Sequence, residues 1–162
     1  MGQSYRSSQR TSVEVRGGDL AVGTWGSPSL PPVLAIHGIN DTHMAWGAVA
    51  QQLDGARLIA PDLRGRGRST HLPGPWGLAQ HADDALRVLD AFEVERAVIT
   101  GHSMGGPVAL LLAQRHPDRV QGLVLVDGGL KPPAMHGDPE WISRHLLRDL
   151  AVRLTTAFAS RE

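Results

Sequence analysis

Ala97-Val98-Ile99-Thr100-Gly101-His102-Ser103-Met104-Gly105-Gly106 is the stretch on which the reading of this chain turns. Its first four residues form a short apolar, β-branched run, the pattern of a strand buried on both faces of a sheet. Val108 to Arg115 is apolar almost all round, as suits a helix packed on a sheet. It stops at His116-Pro117, where proline cannot continue the helical ladder. Only a sharp turn fits between strand and helix. Gly101 and Gly105 carry no side chains to collide as the two elements approach, and Ser103 between them is expected to hold a strained backbone at the apex. The hydroxyl is thereby lifted above the sheet edge at a helix N-terminus, where unpaired N–H groups and the helix dipole favour negative charge.

Working outward, the same alternation recurs. Ser12 to Arg16 and Leu20 to Trp25 are short strand-like segments around Gly17-Gly18-Asp19, a hairpin signal. Val33–Ile36, Arg57–Ala60 and Leu123–Val126 are further buried-strand runs, each ending near Gly, Pro or Asp. Ala82, Ala85, Leu86, Leu89 and Phe92 recur at helical spacing with Asp83, Asp84, Arg87 and Asp90 between them, which predicts an amphipathic helix with those charges toward water. Strands alternating with helices imply an α/β fold, a mostly parallel sheet with helices on both faces. Ligands in such sheets sit beyond the carboxyl ends of the strands. A polar tail is expected over 1–11, the core over 12–129, and a further region over 130–162 that opens with a Pro-rich loop and continues as a helix with Leu147, Leu150, Leu154 and Phe158 on one stripe.

The 162 residues are 41% hydrophobic and 20% charged, with 16 basic and 16 acidic side chains, so neither disorder nor a polyanion-binding surface is indicated. With no cysteine, a disulfide scaffold, a thiolate metal site and a cysteine nucleophile are excluded. Met1 to Arg10 has no apolar core of the signal-peptide kind, and no run approaches the roughly 18 apolar residues of a membrane span. A cytoplasmic protein without a membrane or nucleic-acid partner is the expectation. Arg64, Arg66 and Arg68, interleaved with glycines, read as a solvated loop. His37, Asp41 and His43 match no metal-ligand spacing, so neither a metal nor another cofactor is expected.

Gly101-His102-Ser103-Met104-Gly105 is a G-x-S-x-G motif in a strand–turn–helix context, which marks a serine nucleophile. Together with Ile36-His37-Gly38, Trp46, Ala60-Pro61-Asp62-Leu63-Arg64-Gly65-Arg66-Gly67-Arg68-Ser69 and Arg115-His116-Pro117-Asp118-Arg119-Val120, it makes the chain resemble the α/β-hydrolase family from about Ser12 to Gly129. The resemblance implies attack by Ser103 on an ester-type bond of a small molecule, an acyl-enzyme, and an oxyanion held by the amides of Ile39 and Met104. A serine rather than an aspartate at 103 argues against epoxide-hydrolase and haloalkane-dehalogenase chemistry; esterase, thioesterase, carbon–carbon hydrolase and perhydrolase chemistry remain. Arg66, where the family usually has histidine, and Asn40-Asp41, where many members have glycine or serine, depart from the pattern.

A serine hydroxyl needs a base, itself held by a carboxylate. In this family serine, acid and histidine come in that chain order. His116 lies thirteen residues beyond Ser103, roughly 20 Å along the helix at a rise of about 1.5 Å per residue, and is excluded. His102 adjoins Ser103, and neighbouring side chains of a strand point to opposite faces. His37 belongs to the oxyanion loop and reads as structural. His136 and His145 fall where the family begins a helical cap, so the sequence reads as a hydrolase core truncated before its last strands and lacking the triad histidine. Asp127, ending a strand, is a possible acid, though strand termination is its ordinary role. The alternative is a non-catalytic binding protein or an inactive fragment on the same fold. The strand Gln121 to Val126 is expected to form an exposed edge, open to self-association.

Overall fold

The computed structural model describes residues 9–128. The expected cap over 130–162, with His136, His145 and the leucine stripe, lies outside the described residues. Six strands form one sheet: β1 (Gln9–Val15), β2 (Gly18–Trp25), β3 (Pro32–Ile36), β4 (Arg57–Pro61), β5 (Ala97–His102) and β6 (Val120–Val126), in the order β1-β2-β4-β3-β5-β6. The first two pairings, β1 with β2 and β2 with β4, are antiparallel, and the rest are parallel. The opening hairpin turns at Arg16-Gly17 rather than one residue later, with Gly17 at φ 92, and β1 begins at Gln9, inside the stretch expected to be tail. Gln9, Arg10 and Thr11 are exposed yet pair with Thr24, Gly23 and Val22, so backbone pairing rather than burial orders them.

Period-two alternation sorts the strand residues between two cores. Leu34, Ile36, Ile59 and Ile99 face α2 (Leu78–Ala91) and α3 (Gly105–Arg115), which contribute Ala82, Ala85, Val88, Val108, Ala109 and Leu112. Ala35, Leu58, Ala60 and Trp25 face the other way and meet Ala50 of α1 (Gly47–Gln52) and Trp46 just before it. Helices therefore cover both faces. The connection from β3 leads to α1 on one face, and that from β5 leads to α3 on the other. The adjacent carboxyl ends of β3 and β5 thus form the crevice at which doubly wound sheets bind ligands. Among the described residues β6 is the outer strand on the parallel side of the sheet, with Val124 and Val126 exposed.

The arginine-rich loop after β4 departs from its sequence reading. Arg64 is only 1% exposed, and its guanidinium grips Asp84 of α2 with two hydrogen bonds of 2.8 and 2.9 Å while donating to the Pro73 carbonyl at 2.9 Å. Only Arg68 behaves as a solvated loop arginine. Asp84, assigned to the wet face of its helix, is buried beneath Arg64 and also accepts from Gln80. A fork-shaped cation and a carboxylate satisfy one another there, which is what lets two charges leave water. Asp84→Ala, which strands the Arg64 charge, is expected to cost about 3–5 kcal/mol in urea unfolding. Asp83→Ala, which removes an exposed partner of Arg115, should cost less than about 1 kcal/mol. Equal losses at the two positions would contradict this account of the loop.

Candidate active site

Ser103 stands at the end of β5 with φ 49, a left-handed conformation that costs a non-glycine residue about 1–2 kcal/mol. The surrounding structure determines it. Ser103 N–H donates to the Val126 carbonyl at 3.0 Å, and its own carbonyl accepts from Gly106 N–H at 3.0 Å. A side chain on Gly101 would overlap the Gly105 carbonyl, and one on Gly105 would overlap the carbonyl of Ile36, so turn, helix and β3 close on one another only through glycine.

This contact brings the loop after β3 beside the serine. Ile36 pairs with Gly101, and two residues further along each strand a Cβ on Gly38 would lie 3.3 Å from the Ser103 Cβ and 3.2 Å from His102 Nδ1. The left-handed turn at Ser103 breaks strand alternation, so His102 and Ser103 flank the same glycine rather than opposite faces. No hydrogen bond joins them among the described residues; His102 Nδ1 lies 3.7 Å from Asp41 Oδ2.

His37 shapes that loop. It is fully buried, its Nε2 accepts from Leu63 N–H at 2.9 Å, and its Nδ1–H consequently donates to the Gly38 carbonyl at 2.6 Å. Asp41 N–H donates to the same carbonyl at 3.3 Å. In a trans peptide the C=O and N–H point in opposite directions, so anchoring the Gly38 carbonyl turns the Ile39 N–H away from His37. Neither the Ile39 nor the Met104 amide meets an acceptor among the described residues.

Beneath lie charged and polar groups that sequence periodicity did not single out. Arg66 reaches the Ile39 carbonyl, the Arg64 carbonyl, His81 Nε2 and Met104 Sδ. His81 and Asp84 share the buried stripe of α2 with Val88, at helical spacing that was legible in principle but easily overruled by their polarity. His43, also missed, is buried with its Nδ1 and backbone N–H both 2.7 Å from Asp62 Oδ1. Burial pushes the Asp62 pKa up, but hydrogen bonds from the His43 ring and from the amides of Arg68 and His43 outweigh it and leave it below the ordinary 3.8. No three metal-ligating groups converge among the described residues. Asp127 is exposed at φ 46 just beyond β6, and its carboxylate has no partner among the described residues. His116 caps the far end of α3. A cleft of about 580 Å³ lies over the loops, bounded by Ile39, Asp41, Arg66, Thr70 and Trp76.

A family model for the alpha/beta hydrolase fold matches residues 31–158. The chain belongs to the α/β-hydrolase family. It is 38% identical over 109 residues to lipase LipV of Mycobacterium tuberculosis, covering 67% of this chain and 41% of that protein. It is 38% identical over 117 residues to 2-hydroxymuconate semialdehyde hydrolase of Pseudomonas sp. strain CF600, covering 68% and 41%. Among solved structures, the thioesterase domain from the curacin biosynthetic pathway superposes with a TM-score of 0.73 at 32% identity, covering 85% of this chain and 50% of that one. The chain thus spans about two fifths of the length of these curated α/β-hydrolase relatives. Among the described residues no helix is long and apolar enough to cross a membrane.

Burial lowers the His37 pKa below its ordinary 6.5. Burial, with the Arg66 charge second, pushes His81 down to about 4. The Trp76 backbone pulls weakly the other way, without a well-formed hydrogen bond to the His81 Nδ1. Below about pH 6.5 the unfolded chain binds protons that these folded rings refuse, so stability is complete above that pH and falls as pH decreases. For His81 the loss runs from pH 6.5 to about 4 and is on the order of 3 kcal/mol. His81→Gln keeps an acceptor for Arg66 and cannot titrate. Its melting temperature should fall less steeply than the parent's between pH 6.5 and 4; an unchanged slope would count against a neutral buried His81.

Proposed function

We propose that this protein is a serine hydrolase acting on ester-type bonds of a small molecule, with Ser103 as nucleophile and the amides of Ile39 and Met104 as oxyanion donors. One observation carries the reading: a serine held at φ 49 lies beside the Gly38–Ile39 and Ser103–Met104 peptides, whose amides have no acceptor among the described residues. Ile39 is exposed and Met104 half-buried, so neither residue is sealed in the core and their N–H groups can meet an incoming oxygen. Two such donors beside a strained serine suit the oxygen that gains charge when a hydroxyl attacks a carbonyl.

The Ser103 oxygen attacks the carbonyl carbon as its proton passes to a base, and the carbonyl electrons move onto the oxygen facing the two amides. Collapse expels the alcohol or thiol and leaves Ser103 acylated. Water activated by the same base then releases the acid and restores the serine. Both nitrogens of the His37 ring are engaged and no other histidine among the described residues bonds to Ser103, so the proposal places the base outside residues 9–128. Relatives named lipase, semialdehyde hydrolase and thioesterase support hydrolytic chemistry of this kind without selecting a substrate. Exposed Ile39 and Trp76 beside the cleft suit an apolar substrate portion.

A second reading has its own support: no histidine ring bonds to Ser103 among the described residues, so the chain could instead bind without turnover. A fluorophosphonate probe separates the two. Stoichiometric labelling of the protein, abolished by Ser103→Ala, is the expected outcome; an unlabelled protein that is folded by circular dichroism would favour the non-catalytic reading.

A further inference from the structure

Arg66 holds together the two strands of backbone that the proposed oxyanion site needs. Its Nε–H donates to the Ile39 carbonyl at 3.1 Å, on the loop after β3. One Nη1–H donates to the Arg64 carbonyl at 2.9 Å, within its own loop, and another faces His81 Nε2 of α2 at 3.2 Å. Its Nη2 lies 3.8 Å from the sulfur of Met104, on the turn that carries Ser103. One planar fork therefore touches the β3 loop, the β4 loop, α2 and the serine turn at once.

The neighbouring residues supply what this arrangement needs. Gly65, at φ 77, lets the loop turn so that Arg66 points inward. His81 serves as acceptor because burial keeps its ring neutral. The carbonyl of Ile39 belongs to the peptide that follows the one donating the proposed oxyanion N–H. Fixing it restrains the dihedral between the two peptides, while His37 anchors the first from its Gly38 side. Without Arg66 the Ile39 carbonyl has no hydrogen-bond partner among the described residues.

We infer that Arg66 is a positioning residue: its guanidinium ties the Gly38–Asn40 loop to α2 and to the Met104 side chain, and that tie holds the Ile39 amide in place on the loop that the Gly105–Ile36 contact brings beside Ser103. The inference rests on the reading of Ser103 as nucleophile. A donor displaced from the developing charge is lost to the transition state, and loss of one such donor lowers turnover by about a hundredfold to a thousandfold. Loosened rather than lost, the site should slow by somewhat less. Lysine carries the charge but not the fork, and cannot span acceptors on four segments.

The test compares parent, Arg66→Met and Arg66→Lys in the rate of fluorophosphonate labelling, with saturation resolved from the maximal rate, and in amide hydrogen exchange. In Arg66→Met the maximal labelling rate should fall by about tenfold to a hundredfold with the half-saturating probe concentration unchanged. Exchange should quicken over residues 37–42 and stay as in the parent over 82–91. Arg66→Lys, the variant to rely on if Arg66→Met does not fold, should remain slower than the parent. Labelling of either variant at the parent rate overturns the inference. If the parent itself is not labelled, the Ser103 reading fails, and exchange decides for Arg66: loop exchange unaltered by the substitution overturns the tie.

Discussion

Where α3 leaves the turn, the backbone of Gly105 lies against the carbonyl oxygen of Ile36, with no space for even a methyl group between them. That approach determines the spacing of everything above it. It presses the helix N-terminus onto the end of β3, so the loop leaving β3 has to pass beside Ser103. It also requires Gly101, whose own side chain would strike the Gly105 carbonyl, and it forces Ser103 into the left-handed region to complete the turn. The strain at Ser103 is stored where strand pairing to β6, helix packing and the β3 contact over-determine the backbone. A serine with a freer backbone would have no reason to stand clear of the sheet.

Above that contact, the loops are ordered by polar groups rather than by apolar packing. Asp62 gathers His43 and the Arg68 amide, His37 bridges Leu63 and Gly38, Arg64 clasps Asp84, and Arg66 joins Ile39 to His81 and Met104. Such networks are directional where hydrophobic contacts are not, and in a partly dry site each bond sharpens the next. Their cost is sensitivity to protons, since the buried imidazoles stay neutral only while the pH keeps them so. The same α2 residues that look misplaced on an apolar helix face therefore hold the loops around Ser103 to the body of the sheet.

The strands, α2 and α3 were legible because their signals are local, whereas the six-residue α1 was not read. A run such as Ala97–Thr100 can hardly be anything but a buried strand, and Gly101, Gly105 and Pro117 punctuate it with steric rules that need no partner. The turn at Ser103 was legible for the same reason. What the sequence concealed were pairings across 15 or more residues. Arg64 and Arg66 look like loop charges until α2 supplies Asp84 and His81, and Asp84 looks solvent-facing until an arginine covers it. Charge predicts exposure only for a residue without a partner, and partners are a property of the fold. His102 was misplaced for a different reason, because strand alternation was carried across a residue whose backbone does not continue the strand.

The central claim, that the strained serine and two amides without an acceptor among the described residues form one oxyanion-binding unit, is tested most directly by the crystal structure of the protein after reaction with a fluorophosphonate. The account predicts phosphorus bonded to the Ser103 Oγ, with the phosphoryl oxygen within hydrogen-bond distance of both the Ile39 and the Met104 amide nitrogens. A phosphoryl oxygen turned toward solvent, or an adduct on another residue, would contradict it.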